Sequence, residues 1–239
     1  MASKPKKNSK NKAASSAKNL KVAQLLALAS KAPASMSFAK NKSTARLFEI
    51  VVLADILTTY ISAQTGGTAT VQNAAGGVLK FAGAPCSADK TKYSWFELQD
   101  PTLVAPMEAW VSVQFTTLSW EIAGKKAPPS GADKHEIDIG IFSRLAATSH
   151  YPNYDQLLAG ISCKHFAPTK ENVREALGLR RESAVLVRPR ISLVPWLGRP
   201  RVPAKPPSPL YLASSSTAVH AYDEPIDALG VYTASTPFK

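Results

Sequence analysis

Apolar residues recur at three- and four-residue spacing through residues 43–63. Leu47, Ile50, Val51, Ala54, Ile56 and Leu57 form a broad stripe at the 3.6-residue period of a half-buried helix. Gly66 and Gly67 follow and supply a stop signal. A shorter helix is expected over residues 20–32, with Val22, Leu25, Leu26 and Ala29 on one side. Residues 1–19 are dominated by Lys, Ser, Asn and Ala, have almost nothing to bury, and predict a disordered basic arm. Downstream the pattern changes. Residues 68–72, 77–81, 93–98, 109–118, 135–142 and 157–164 are short runs rich in β-branched or aromatic residues and read as strands. Between them, residues 123–134 contain Gly124, Pro128, Pro129 and Gly131, an exposed loop. After Pro168 a helix is predicted over 169–181, with Thr169 as N-cap and Glu171 and Asn172 in its first turn. Residues 188–209 hold seven prolines and five basic residues, a long irregular insertion that regular helix excludes. A strand at 210–214, a helix-like stretch at 217–229 and a strand at 231–234 complete the chain. Helix, then antiparallel strands, then strand–helix–strand predict one α/β domain over residues 43–239, a mixed central sheet flanked by helices. A helix and linker at 20–42 join it to the arm.

Charge changes this picture only at the N-terminus. The chain carries 29 Lys and Arg against 17 Asp and Glu, a net +12. Residues 1–48 hold eleven of the basic residues and no acid, which leaves 18 basic against 17 acidic residues, or +1, for residues 49–239. The basicity belongs to the leader. A polycationic arm condenses onto nucleic acid by releasing counterions, which adds affinity without sequence choice. Nucleic acid is therefore the expected partner, DNA first and RNA second, and a homodimer is compatible with the sequence. Cys86 and Cys163 are the two cysteines. One lies in a loop-like stretch and the other in an apolar strand, so a disulfide framework is not expected and a reducing, cytoplasmic compartment fits. No apolar run approaches the roughly 20 residues of a membrane span.

Candidate chemistry sits on two strands. One carries Glu136 and Asp138 and the other Ser162, Cys163 and Lys164. Alternation puts Glu136 with Asp138 on one face, and Ser162 with Lys164 on one face. If the strands pair, an acid and a lysine converge. On the following helix Glu171, Glu175 and Glu182 fall at i, i+4 and i+11, beside a basic stripe of Lys170, Arg174 and Arg181.

This order of elements resembles the PD-(D/E)xK nuclease superfamily over residues 43–235: an early helix bearing Glu49, a meander, an acid strand, a strand ending in lysine, and a mixed-charge helix. The resemblance implies a restriction-endonuclease-like fold. It implies a divalent cation, Mg²⁺ or Mn²⁺, held by Asp138 with help from the backbone carbonyl of Cys163, and a water oriented by Lys164. Glu49 is similar to the supporting acid of the first helix, and Glu136 is a further candidate ligand. The pattern departs at Ser162, where the family places an acid two residues before the lysine. Members with Ser-x-Lys take the metal-binding glutamate from the following helix, which here designates Glu175 first, holding the cation with Asp138, and Glu171 second. Phosphate contacts are expected from Lys170, Arg174 and Arg181, and from Arg188, Arg190, Arg199 and Arg201 in the insertion. The implied activity is magnesium-dependent endonucleolytic hydrolysis of DNA, with restriction or defence as its setting.

Two other readings stay open. Ser162 suits a nuclease-like module that binds nucleic acid without cutting it. The lysine-rich leader and strand-rich middle suit a structural nucleic-acid-coating protein, such as a viral coat protein. No phosphate-binding Gly-rich loop with Lys-Ser/Thr and no Gly-x-Ser-x-Gly elbow occurs. Cys163 and His165 are too few for a zinc site. His150, with Tyr151 and Tyr154, forms a loop aromatic cluster, and His165 is expected to border the site. Trp95, Trp110 and Trp120 are expected on strands and in the core; Trp196 either stacks on a base or docks onto the domain.

Overall fold

The computed structural model describes residues 7–30, 36–40, 42–102, 105–125, 128–146, 150–186, 194–197 and 204–238. In chain order the elements are α1 (Lys7–Ala29), β1 (Ser37–Phe38), α2 (Thr44–Ala63), β2 (Thr68–Gln72), β3 (Val78–Leu79), β4 (Trp95–Gln99), β5 (Met107–Thr116), α3 (Leu118–Ile122), β6 (Lys134–Ser143), β7 (Leu157–Lys164), α4 (Lys170–Ser183), β8 (Val185–Leu186), β9 (Ala204–Lys205), β10 (Leu210–Ser214), α5 (Asp223–Asp227) and β11 (Val231–Ser235). Seven strands make the central sheet in the order β11-β10-β7-β6-β5-β4-β2. The run from β2 through β4, β5 and β6 to β7 is antiparallel. β7, β10 and β11 are parallel, as a strand–helix–strand connection through α4 requires. The result is an α/β domain with a mixed sheet flanked by helices.

Each face of the sheet buries its own core. On one face α1 and α2 place Leu26, Phe48, Leu53 and Leu57 against Phe96, Leu98, Val111, Ile139 and Ile161. On the other, α4 packs Val173, Ala176 and Leu179 with Trp110, Val113, Ile137, Leu210 and Leu212. α2 starts where its cap says it should: the Ser43 hydroxyl accepts from the Arg46 N–H at 3.3 Å, satisfying one of the unpaired donors of the first turn. At α4 the Thr169 and Asn172 side chains cap reciprocally. Gly140 and Gly160 are required where strands meet side chains. A Cβ on Gly140 would strike the Phe142 ring, and one on Gly160 would lie 2.9 Å from Leu210 Cδ1.

Two expectations are corrected. Helix α1 begins at Lys7, not near residue 20, so residues 7–19 are helical rather than a disordered arm. No Gly or Pro interrupts residues 7–29. The packed C-terminal half, with Val22, Ala23 and Leu26 buried, provides the costly nucleus from which an Ala- and Lys-rich segment propagates cheaply. Trp120 lies on α3, not on a strand, because the Thr117 hydroxyl accepts from its N–H at 3.3 Å and caps a short helix; Trp95 and Trp110 stack in the core as expected. The helix-like stretch expected at 217–229 is helical, a 3₁₀ segment at Thr217–Tyr222 followed by the single turn of α5.

Most of the 188–209 insertion lies outside the described residues. Its described Trp196 packs edge-on against Tyr60, with centroids 4.9 Å apart, in the docking arrangement. Both cysteines are free. Among the described residues no helix is long and apolar enough to cross a membrane.

Candidate functional site

The sheet divides at Asp138. β6 and β7 pair from Phe142 opposite Leu157 up to Ile139 opposite Ile161, where their ladder stops. Beyond it β6 continues along β5, with Ile137 opposite Val113. β7 instead continues along β10, with Ser162 beside Leu212, Cys163 beside Ala213 and Lys164 beside Ser214. The two strands thus open into a fork, with Asp138 on one prong and Ser162, Cys163 and Lys164 on the other. Asp138 spans the gap: its Oδ2 accepts from the Cys163 N–H at 2.7 Å.

The backbone is bent at the same level. Val111 and Ile139 pack into the core under α2, whereas Val113 and Ile137 pack into the core under α4. Strict alternation would keep these odd-numbered residues on one face. The change of phase falls at Ser112, whose φ of 54° lies in the left-handed region that L-residues enter at a cost of about 1–2 kcal/mol. Glu136 and Asp138 therefore do not share a face by simple alternation, which corrects the sequence expectation. Instead, the Ser112 hydroxyl donates to Glu136 Oε1 at 2.9 Å, and the Arg46 guanidinium donates to both Ser112 Oγ and Glu49 Oε2. The α2 side of the fork is a linked set: Glu49, Arg46, Ser112 and Glu136.

Charge there is unbalanced. Glu49 is 8% exposed. Burial pushes its carboxyl up to about 8, Arg46 opposes this, and the negative charges of Asp138 and Glu136 add to it. Asp138 is likewise raised by burial, with the Cys163 N–H and Lys164 acting against the rise and Glu136 and Glu175 reinforcing it. Burial also lifts the Cys163 thiol well above its ordinary range, with Asp138 and Glu49 contributing.

On the other side α4 contributes one residue. Lys164 Nζ lies 2.9 Å from Glu175 Oε2 and donates to Oε1 at 3.1 Å. Glu171 instead faces Arg174 at 3.8 Å out in solvent, and Glu182 accepts from the Ser119 N–H at 3.1 Å. The three glutamates share a stripe but not a height on the helix axis, and only Glu175 is level with the fork. The basic stripe divides in the same way. Lys170 and Arg174 are exposed near the start of α4, while Arg181 lines a cavity with Leu177, Val185 and Leu229 at its far end. Arg188, Arg190, Arg199 and Arg201 lie outside the described residues. His165 is exposed and edge-on to Phe166. Ser162 is buried, and its Oγ has no hydrogen-bond partner among the described residues.

Two members of the set had not been read from the sequence. Arg46 stands three residues before Glu49, a recognisable ion-pair spacing on a helix. Ser112 gives no sign of its role, because its conformation depends on the partner strand.

Among the described residues no three His, Cys, Asp or Glu side chains converge to surround a metal ion. Magnesium asks for less than that: one or two protein carboxylates, with retained waters and substrate phosphate completing its shell. Asp138 keeps Oδ1 free of hydrogen bonds among the described residues. The unpartnered Ser162 hydroxyl and the crowded, buried carboxyls of Glu49 and Asp138 are groups whose cost a cation or its waters would relieve. The donor set fits a hard cation held mainly through water. Comparison with protein-family models, curated proteins and solved structures gives no match to this chain.

Proposed function

We propose that the protein is a Mg²⁺- or Mn²⁺-dependent endonuclease of the PD-(D/E)xK type that hydrolyses DNA phosphodiester bonds, with the relocated glutamate at Glu175. The observation that carries this reading is the fork, in which Asp138 bridges to the Cys163 amide while Lys164 beside it is ion-paired to a glutamate of the next helix. Asp138 would hold the cation, with Glu49 and Glu136 supporting from the α2 side. When bound, such a cation offsets charge on the phosphate and makes a water nucleophilic near neutral pH. Glu175 restrains the flexible Lys164 side chain, so the amine is fixed where negative charge develops on the phosphate rather than searching for it. Arg46 holds the Glu49 carboxyl and the Ser112 hydroxyl in one arrangement. The basic leader adds affinity for the duplex without choosing a sequence.

The test is incubation of supercoiled plasmid, linear duplex and a matched RNA with Mg²⁺, Mn²⁺ or EDTA. The native chain is compared with Lys164→Ala and Asp138→Ala. Metal-dependent nicking by the native protein, reduced by roughly two orders of magnitude or more in either variant, supports the assignment; nicking that survives both substitutions refutes it. The buried neutral hydroxyl of Ser162, where the family pattern has an acid, favours a second reading, a nuclease-like module that binds without cutting. That reading expects retained duplex affinity and no product in any metal.

A further inference from the structure

A cavity of about 600 Å³ opens next to the fork, between the start of α2 and the segments around β3 and β4. Its charged lining is Lys40, Lys42, Arg46, Lys80, Lys92 and Glu49, five cations around one carboxyl. Two of the cations are already engaged, Arg46 with Glu49 and Lys92 with Asp89 at 3.2 Å. Lys42 is half-buried and donates at 3.2 Å to a neutral acceptor, the Phe81 carbonyl. Lys40 and Lys80 are exposed and have no ion pair among the described residues. Burial, then Arg46 and Lys40, press the Lys42 amine below its ordinary range, as expected of a cation short of negative partners. Ser43 and Ala45 bring the first turn of the 20-residue helix α2 to the same wall. The amides there lack intrahelical acceptors, and the helix dipole adds positive potential. Tyr93 completes the wall with an aromatic ring.

We infer that this cavity seats a phosphate group of the nucleic-acid substrate, adjacent to the phosphodiester presented to the fork. The inference rests on the nuclease reading for its substrate class. Converging Lys side chains, helix amides and little competing carboxylate are the chemistry of phosphate recognition. The cavity is also continuous with the site, because Arg46 and Glu49 belong to both. A strand seated here enters the fork from the α2 side, and the cavity sets which phosphate reaches Lys164. The ligand is either a phosphodiester within a strand or a phosphate at a strand end.

Binding by the full-length chain is measured in EDTA, where no cleavage confuses the reading. The probes are fluorescent oligonucleotides bearing a 5′-phosphate or a 5′-hydroxyl and a closed circular DNA. Lys40→Ala/Lys80→Ala is compared with Lys40→Arg/Lys80→Arg and the native chain across a salt series. Both lysines are exposed, so thermal melts of all three should coincide. Expected is weaker binding by the alanine pair, with the slope of log affinity against log salt shallower by about one per lysine, and recovery in the arginine pair. Equal loss on all three probes identifies an internal phosphodiester, and loss confined to the 5′-phosphate probe identifies a strand end. Unchanged affinity and slope in the alanine pair overturns the inference. Loss of binding in that pair, together with a native chain that never cuts in Mg²⁺, keeps the phosphate site and removes the nuclease reading.

Discussion

Replacing Glu49 with glutamine tests the electrostatics of the fork. The native carboxyl sits at about 8 against an ordinary value of 4.5, and burial is the main cause. Between those two pH values the folded chain holds a proton that the unfolded chain has released. Stability therefore changes as the proton difference, unfolded minus folded, which is negative here, so it falls as pH rises. The contribution is whole below pH 4.5 and is lost by the time pH has passed through 8. At about 1.4 kcal/mol per pH unit, the span between the two values amounts to about 5 kcal/mol. Against a typical total of about 5–15 kcal/mol this is a large effect. The substituted amide keeps the shape of the carboxyl and has no proton to lose. Urea unfolding of both chains in EDTA, at half-unit steps from pH 4.5 to 9, reads the difference. The native curve should descend relative to Glu49→Gln across that window, with the two diverging most above pH 8. Parallel curves would mean that Arg46 keeps Glu49 ionised throughout, and the account of a carboxyl governed by burial would fail.

Mg²⁺ binding competes with protons for the same carboxyls, so the rise in melting temperature on adding Mg²⁺ should be larger at pH 8 than at pH 5.5 and absent in Asp138→Asn; a rise independent of pH contradicts this. Lys90 is bonded to the buried Glu108 at 2.5 Å, and Glu108 also accepts from Trp110 Nε1 at 3.1 Å and the Leu145 N–H at 3.0 Å. Lys90→Met strands that carboxylate and should cost about 3–5 kcal/mol in urea unfolding, with much of it recovered in Lys90→Met/Glu108→Gln; no recovery would show that the contact of the amine with the Trp95 ring, 4.7 Å from its centroid, rather than the ion pair, is what Lys90 supplies. Gly140→Ala drives a methyl into the Phe142 ring and within 3.0 Å of Ile137 Cγ2, and overpacking of this kind costs about 1–3 kcal/mol or more. A Gly140→Ala variant as stable as the native chain would mean that β6 shifts freely, which its place between β5 and β7 argues against.

Much of the domain was legible from local pattern. The strand at Leu157–Lys164 and the strand at Leu210–Ser214 span the residues expected of them, and the helices carrying Glu49 and Glu175 start at the caps Ser43 and Thr169. That a glutamate of the helix after Lys164 would lie near it was also foreseeable, since both elements and their order were visible. What escaped were features with no local signature. Ser112 reads as an ordinary strand residue until its neighbour β6 bends with it. The opposite faces taken by Ile137 and Ile139 cannot be told from alternation, which predicts one. The helix at Lys7–Ala29 extends into polar sequence because its far end is packed against α2, a contact that composition does not report.

By itself, then, the amino-acid order determined which segments are helix and strand, because 3.6- and 2-residue periods, caps and turn residues act over a few positions. It also determined that positive charge is concentrated ahead of a nearly neutral domain. Tertiary structure alone decided where the sheet forks, that Asp138 reaches the Cys163 amide across it, that Glu175 rather than Glu171 or Glu182 meets Lys164, and that Lys40, Lys42 and Lys80 line one cavity with Arg46. Those are meetings between residues on different elements, 11 positions apart for Lys164 and Glu175 and 25 for Asp138 and Cys163. They are set by register, twist and the burial of two opposed cores, and no short-range pattern encodes them.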